Sequence, residues 1–197
     1  MPVLSRPALD AAPALLGCLL RVGDVAAVIV EVEAYEGEFD PASHAWRGPT
    51  RRNEVMFGPA GRLYVYQMHG HHCCNVVCGP EGRASAVLLR AGSIVAGAER
   101  ARERRGGVPD AALGRGPGNL CRALGITAAH NGAVLGGPEV VLEPADAVAA
   151  ARRREVASGP RVNVSRAADR PWRFWLAGDP AVSAFKPHRP KQNVSGS

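Results

Sequence analysis

Ile29-Val-Glu-Val-Glu-Ala-Tyr-Glu-Gly-Glu-Phe-Asp-Pro-Ala-Ser-His44 is the stretch on which the fold turns. β-Branched side chains run through residues 28–32, and such side chains favour a pleated, half-buried strand. Side chains two apart share a face of a strand. Ile29, Glu31, Glu33 and Tyr35 are therefore expected on one side, and Val28, Val30, Val32 and Ala34 on the other, toward a core. A core-forming strand with two carboxylates and a tyrosine on its other face has either a solvated face or a functional one. The flanking chain has to decide between them.

On the N-terminal side, residues 7–20 carry helical spacing of Leu9, Leu15, Leu16, Leu19 and Leu20, with Pro13 limiting the helix start, and Gly23-Asp24 turns into the strand. On the C-terminal side, residues 37–59 form a long Arg-bearing loop of little periodicity, a length associated with function. A second strand is expected over residues 62–68, returning over 75–78, with 69–74 as the hairpin tip. A strongly apolar strand over 84–89 then ends at Arg90. Residues 93–105 read as a helix capped by Ser93 and stopped by Gly106-Gly107, and residues 119–124 as a short helix closed by Gly125. Asn131-Gly132 marks a turn, and strands are expected over 139–142, 161–164 and 172–176, while 145–154 is ambiguous. Strands without regular βα alternation predict an α+β fold with a curved, mainly antiparallel sheet. At 197 residues the chain is read as one compact domain over 1–185, followed by a basic, disordered tail over 186–197.

The net charge of +6 comes from 24 Lys and Arg against 18 Asp and Glu. Of the 24, 22 are Arg, which suits bidentate phosphate contacts, and the two lysines, Lys186 and Lys191, lie in the tail. Five of the 18 acids fall between Glu31 and Asp40, which places an acidic pocket inside a basic surface with an anionic partner. Five cysteines in no disulfide-like framework point to a reducing interior. The N-terminus lacks the pattern of a signal peptide and no apolar run reaches membrane-spanning length, so a cytoplasmic location is expected.

Two carboxylates on one strand face suit glycosidic cleavage, with Glu33 as base or nucleophile, and Tyr35 and Tyr66 could sandwich a flat substrate. The cluster His69, His71, His72, Cys73, Cys74, Cys78 invites a zinc reading. Its spacing argues against one, because adjacent hairpin residues point in opposite directions, and no metal is expected. Arg47, Arg51 and Arg52 in the long loop, and Arg100, Arg102, Arg104 and Arg105 on one helix, would flank the pocket and position phosphates. No Lys precedes residue 186, so a side-chain Schiff base in the body of the chain is excluded, and any glycosylic chemistry uses water unless the N-terminal amine takes part.

Val30-Glu-Val-Glu-Ala-Tyr35 with His44, Met56-Phe57, Gly61-Arg-Leu-Tyr-Val-Tyr66, Asn75, Val87-Leu-Leu-Arg90, Gly116-Pro-Gly-Asn-Leu-Cys-Arg-Ala-Leu124, Arg161-Val-Asn-Val164 and Arg170-Pro-Trp-Arg-Phe174 occur in one register. With these motifs the sequence resembles the alkyladenine DNA glycosylase family (DNA-3-methyladenine glycosylase II), as a bacterial member, over roughly residues 5–185. The resemblance implies a single α+β domain with flanking helices and a protruding β-hairpin. It implies a monofunctional glycosylase, without lyase activity, that flips 3-methyladenine, 7-methylguanine, ethenoadenine or hypoxanthine from duplex DNA and leaves an abasic site. On this resemblance Glu33 is the general base, Arg90 and the backbone carbonyl of Val164 hold the water, and Tyr35, His44 and Tyr66 line the flipped base. Asn75 discriminates against a guanine 2-amino group. Arg47, Arg51 and Arg52 would touch the DNA backbone. The expected partner is double-stranded DNA containing a damaged purine. No cofactor, membrane or obligate protein partner is expected, and the chain would be a cytoplasmic monomer that associates with the nucleoid when bound to DNA.

The departures from the family pattern concern the hairpin and one loop. The family wedge is usually a Tyr before the tip Gly, whereas His69 precedes Gly70 here, which makes His69 the wedge candidate and His71 the second. The stretch from Gly70 to Asn75 is one residue shorter than in relatives, and Asn163 stands where relatives often carry Gly. Glu31 has no family role and is expected to be supporting or solvated.

Overall fold

The computed structural model describes residues 1–144 and 154–189. The fold class expected from the sequence holds: three helices flank a curled, antiparallel half-barrel sheet in one α+β domain. In chain order the elements are α1 (Ala8–Leu15), β1 (Leu19–Val22), β2 (Val25–Tyr35), β3 (Leu63–Met68), β4 (His71–Val77), β5 (Ala86–Ala96), α2 (Ala98–Arg105), α3 (Pro117–Leu124), β6 (Val140–Glu143), β7 (Val156–Gly159) and β8 (Arg173–Leu176). The described strands run in the order β3-β4-β5-β2-β1-β6, and β8 joins β2 to β7. Residues 145–153 of the ambiguous segment and residues 190–197 of the expected tail lie outside the described residues.

β2 is the axis of the molecule. It pairs with β5 along one edge, and with β1 and then β8 along the other. Val30, Val32 and Ala34 are buried in the main core with Leu15, Leu20, Leu89 and Leu120, each valine or leucine contributing about 1.5–3 kcal/mol of burial. The expected alternation along β2 is interrupted. Register shifts flank Glu31, leaving Val30 without an opposite residue on β5 and Arg90 without one on β2. Such bulges re-aim side chains. Ile29 consequently joins the hydrophobic core, whereas Glu31 and Glu33 face polar partners.

Several boundaries differ from the expected ones. The helix over 7–20 stops at Leu15, because Gly17 takes a φ of 81° and hands the chain to β1, so Leu19 and Leu20 are strand residues. The hairpin tip shrinks to His69 and Gly70, both at positive φ (48° and 78°), and Met68 pairs directly with His71. This is the two-residue turn whose twist matches its strands. Ser93 caps no helix. β5 continues through Ile94-Val95-Ala96, and α2 starts after Gly97, whose φ of 67° and close approach to the Asp24 carbonyl leave no room for a Cβ. The short helix starts two residues earlier than expected, at Pro117, and Gly125 closes it in the left-handed conformation. Residues 161–164 form no strand, since Asn163 adopts a φ of 57°; the strand lies before them, as β7.

The long loop of residues 41–58 is held down at two places. Ala45 and Met56 pack on Tyr64, Val77 and Ala86 as a small second core. Asn53, buried, donates to the carbonyls of His44 (2.9 Å) and Gly48 (3.2 Å) and accepts from the Thr50 N–H (2.6 Å). His44 is thereby fixed at the sheet surface beside β3.

Candidate active site

A cleft of about 1020 Å³ opens where β2, β3, β4 and β5 meet the loops of residues 41–44 and 162–166. That is at the upper end of the range for small-ligand pockets, about 300–1,000 Å³. It brings together Glu33, Tyr35, His44, Tyr66, Asn75, Arg90 and Val164 of the residues singled out from the sequence.

Glu33 is buried at the cleft floor. One carboxylate oxygen accepts the Val162 N–H at 2.7 Å and lies 3.5 Å from the Arg90 guanidinium. The other accepts the Tyr35 hydroxyl at 2.9 Å. A carboxylate has about four lone-pair sites, and two hydrogen bonds with one longer ion pair leave room for a further donor such as a water. Burial, and then the charge of Glu33, push the Tyr35 hydroxyl well above its ordinary pKa, so it stays a donor. One face of the Tyr35 ring is covered by the Arg161 guanidinium at 4.6 Å, which limits stacking to the other face.

Glu31 is not solvated. It is wholly buried, and its carboxylate accepts from Arg90 Nε (3.0 Å), Arg173 Nε (2.7 Å), Ser183 Oγ (2.9 Å) and the Ser183 N–H (2.7 Å). Burial opposes the charge on Arg90, and Glu33 and Glu31 more than offset it, so Arg90 is held firmly cationic. Arg90 thus bridges the two glutamates. A second buried ion pair closes the site: Arg161 grips Asp40 with both terminal nitrogens, donates to the Ala34 carbonyl at 3.0 Å, and lies between Tyr35 and Trp172. Its Nε has no partner among the described residues.

The aromatic wall comes from β3 and the long loop. The His44 ring meets Tyr66 edge-on at 4.4 Å, Tyr64 lies 5.6 Å from Tyr66, and the Tyr64 hydroxyl is 3.4 Å from His44 Nδ1. Burial, and then the Arg52 charge, lower the pKa of His44 below the ordinary 6.5, which keeps the imidazole neutral near pH 7. Burial also raises Tyr66 strongly, with Cys73 reinforcing it. Asn75 donates Nδ2–H to the Tyr64 carbonyl at 3.2 Å, and the amide edge borders the cleft.

The remaining candidates lie outside the cleft. His69 is exposed at the hairpin tip, whereas His71 packs its Cβ against Gly118 of α3 and is the less free of the two. Arg52 donates to the Gln67 carbonyl at 2.9 Å and ties the long loop to β3. Arg47 lies over Trp46, and Arg51 is exposed. The arginines of α2 do not flank the cleft: Arg100 pairs with Glu103 and Arg102 with Asp110, while Arg104 and Arg105 donate to the carbonyls of Ala123 and Leu113. The His and Cys cluster is split by strand alternation and burial, with His71 exposed and Cys73, Cys74 and Cys78 inside; all five cysteines are buried. No helix among the described residues is long and apolar enough to cross a membrane.

Sequence reasoning missed the Val162 N–H, the Arg161–Asp40 pair and Ser183, all of which act through backbone placement or contacts distant in sequence. It also missed residues 185–187 and 189, which line the cleft although the sequence assigns nearly all of them to a tail.

The family model described as methylpurine-DNA glycosylase matches residues 2–180. A protein of Cutibacterium acnes is 48% identical over 189 residues, covering 91% of this chain and 96% of its own. One from Mycobacterium tuberculosis is 55% identical over 185 residues, covering 89% and 88%, and one from Mycobacterium sp. is 51% identical over 186 residues, covering 90% and 89%. Each of the three bears the provisional name 3-methyladenine DNA glycosylase.

Proposed function

We propose, from the premise that the chain belongs to the methylpurine-DNA glycosylase family, that this DNA glycosylase flips an alkylated or deaminated purine into the cleft and hydrolyses its N-glycosidic bond. The observation that carries the reading is Glu33: a buried carboxylate, oriented by two hydrogen bonds and the Arg90 charge, at the floor of a cleft walled by aromatic rings.

The proposed mechanism uses those positions. Glu33 accepts a proton from a water held by Arg90 and the Val164 carbonyl, and the water oxygen attacks C1′ of the deoxyribose. The C1′–N bond breaks, and its electron pair leaves with the base. A base alkylated at N3 or N7 carries a positive charge and departs neutral, so one carboxylate and one water suffice. Hypoxanthine, being neutral, needs a proton as well. Tyr35, His44 and Tyr66 offer aromatic surface to a cationic base, an interaction of about 0.5–2 kcal/mol depending on desolvation. A neutral His44 adds no like charge beside that base. Asn75 would meet the purine edge and discriminate against a guanine 2-amino group. His69 would fill the gap left in the stack, and Arg47, Arg51 and Arg52 would hold the phosphates on the long-loop side. With no amine participating at C1′, the product is an intact strand with an abasic site.

Asn163 holds a left-handed conformation, which asparagine is among the few residues other than glycine to adopt readily. The loop that carries the Val162 N–H and the Val164 carbonyl is therefore kept in place. The test is release of free base from a duplex containing a single 3-methyladenine or ethenoadenine. Release is expected, and its absence with folded protein defeats the proposal.

A further inference from the structure

The mouth of the cleft carries three cations that the reading above leaves unused: Arg166, Lys186 and Arg189. Glu33 is the one acid lining the cleft among the described residues, and it is buried against Arg90. None of the three mouth cations has a carboxylate within salt-bridge distance among the described residues. Arg166 instead rests on the Trp46 ring at 4.7 Å, linking this side to the long loop. The backbone beneath Lys186 is anchored twice. Its own carbonyl accepts the Asn163 N–H at 2.9 Å, and three residues earlier Ser183 is gripped by Glu31 and by Arg173, which donates to its carbonyl at 2.7 Å. The segment over 183–189 is thus laid along the cleft by the same buried groups that orient Arg90, while its basic side chains are left for something else.

We infer that Lys186 and Arg189, with Arg166 beside them, bind phosphodiester groups of the damaged strand next to the flipped nucleotide. They form a second cationic group beside the one made by Arg47, Arg51 and Arg52, the two meeting at the Trp46 ring, on which Arg47 and Arg166 both rest. A nucleotide that enters with its base toward Glu33 leaves its flanking phosphates at the mouth, where these cations meet them. This rests on the reading of the cleft as the nucleotide site.

The test is equilibrium binding of the full chain to a duplex holding one tetrahydrofuran abasic analogue, from about 50 to 200 mM KCl, with single-turnover base release measured alongside. Each lost phosphate contact flattens the log–log salt slope by about 0.9. Lys186→Ala/Arg189→Ala should therefore flatten it by nearly twice that and weaken binding roughly tenfold or more at 50 mM. The loss in release should be recovered at saturating enzyme, and Lys186→Arg/Arg189→Lys should keep the wild-type slope. An unchanged slope in the alanine pair overturns the inference. So does a release rate that stays low at saturation, which would make the segment a structural prop. If the alanine pair fails to fold, Arg189→Ala alone carries the same test at half the slope change. A wild-type chain that neither binds this duplex nor releases base defeats the glycosylase reading instead.

Discussion

Glu31 is the residue whose loss should reach furthest. Its buried carboxylate receives four hydrogen bonds, from Arg90, from Arg173 and twice from Ser183, at 2.7–3.0 Å. In Glu31→Gln the amide oxygen can serve only one side of this arrangement. The amide nitrogen then faces either the Ser183 N–H or two guanidinium donors; Arg173 loses its carboxylate partner, and Arg90 keeps only the more distant Glu33 at 3.5 Å. Removing one partner of a buried pair costs about 3–5 kcal/mol, against a total stability of about 5–15 kcal/mol. For a chain of this size each kcal/mol corresponds to about 2–4 °C, so the melting temperature should fall by about 6–20 °C. Arg90 would also lose the partner on its Nε, leaving only Ser183 and Glu33 to aim it. Below the melting transition, the single-turnover rate of base release should therefore drop while lesion binding changes less. Thermal unfolding followed by circular dichroism reads the first quantity and base release the second. A melting temperature within 2 °C of wild type, or roughly 1 kcal/mol, with release intact would refute the claim that Glu31 holds Arg90.

Two other outcomes follow from the site. Because the pKa of His44 is lowered on folding, by burial first and Arg52 second, the unfolded chain binds the proton more readily. The stability tied to this group is complete above about pH 6.5 and is lost as pH falls toward the lowered value. The melting temperature should decline below pH 6.5, and His44→Gln should flatten that decline; an unchanged pH profile in the variant contradicts the assignment. His69→Ala should weaken binding to a lesion duplex more than to an undamaged one, and equal losses would remove His69 as the wedge.

Much of this site can be read from the sequence, and what escapes has a physical cause. Strand β2 announces itself because its β-branched run is long and its polar residues alternate. The bulge opposite Arg90 does not, since a register shift belongs to a pair of strands and leaves no mark on either one alone. Ser93 looks like a helix cap until its hydroxyl is seen donating to Asp179 at 3.0 Å, 86 residues away, while the β-branched chain simply runs on. Val162 and Val164 imitate a strand by spacing, but the positive φ of Asn163 turns the Val162 N–H onto Glu33. Lys186 reads as tail because proline and polar residues follow it, yet the Asn163 N–H donates to its carbonyl and the anchored Ser183 precedes it, which bring it to the cleft.

The general-base role of Glu33 is the claim on which the account stands, and one comparison tests it most directly. Wild-type chain and Glu33→Gln are each bound to a duplex with a single ethenoadenine, and free base is followed under single-turnover conditions at saturating enzyme. The account predicts that the variant still binds the lesion while base release falls by two or more orders of magnitude, about the span attributed to a positioned general base. Release by Glu33→Gln at the wild-type rate would contradict it.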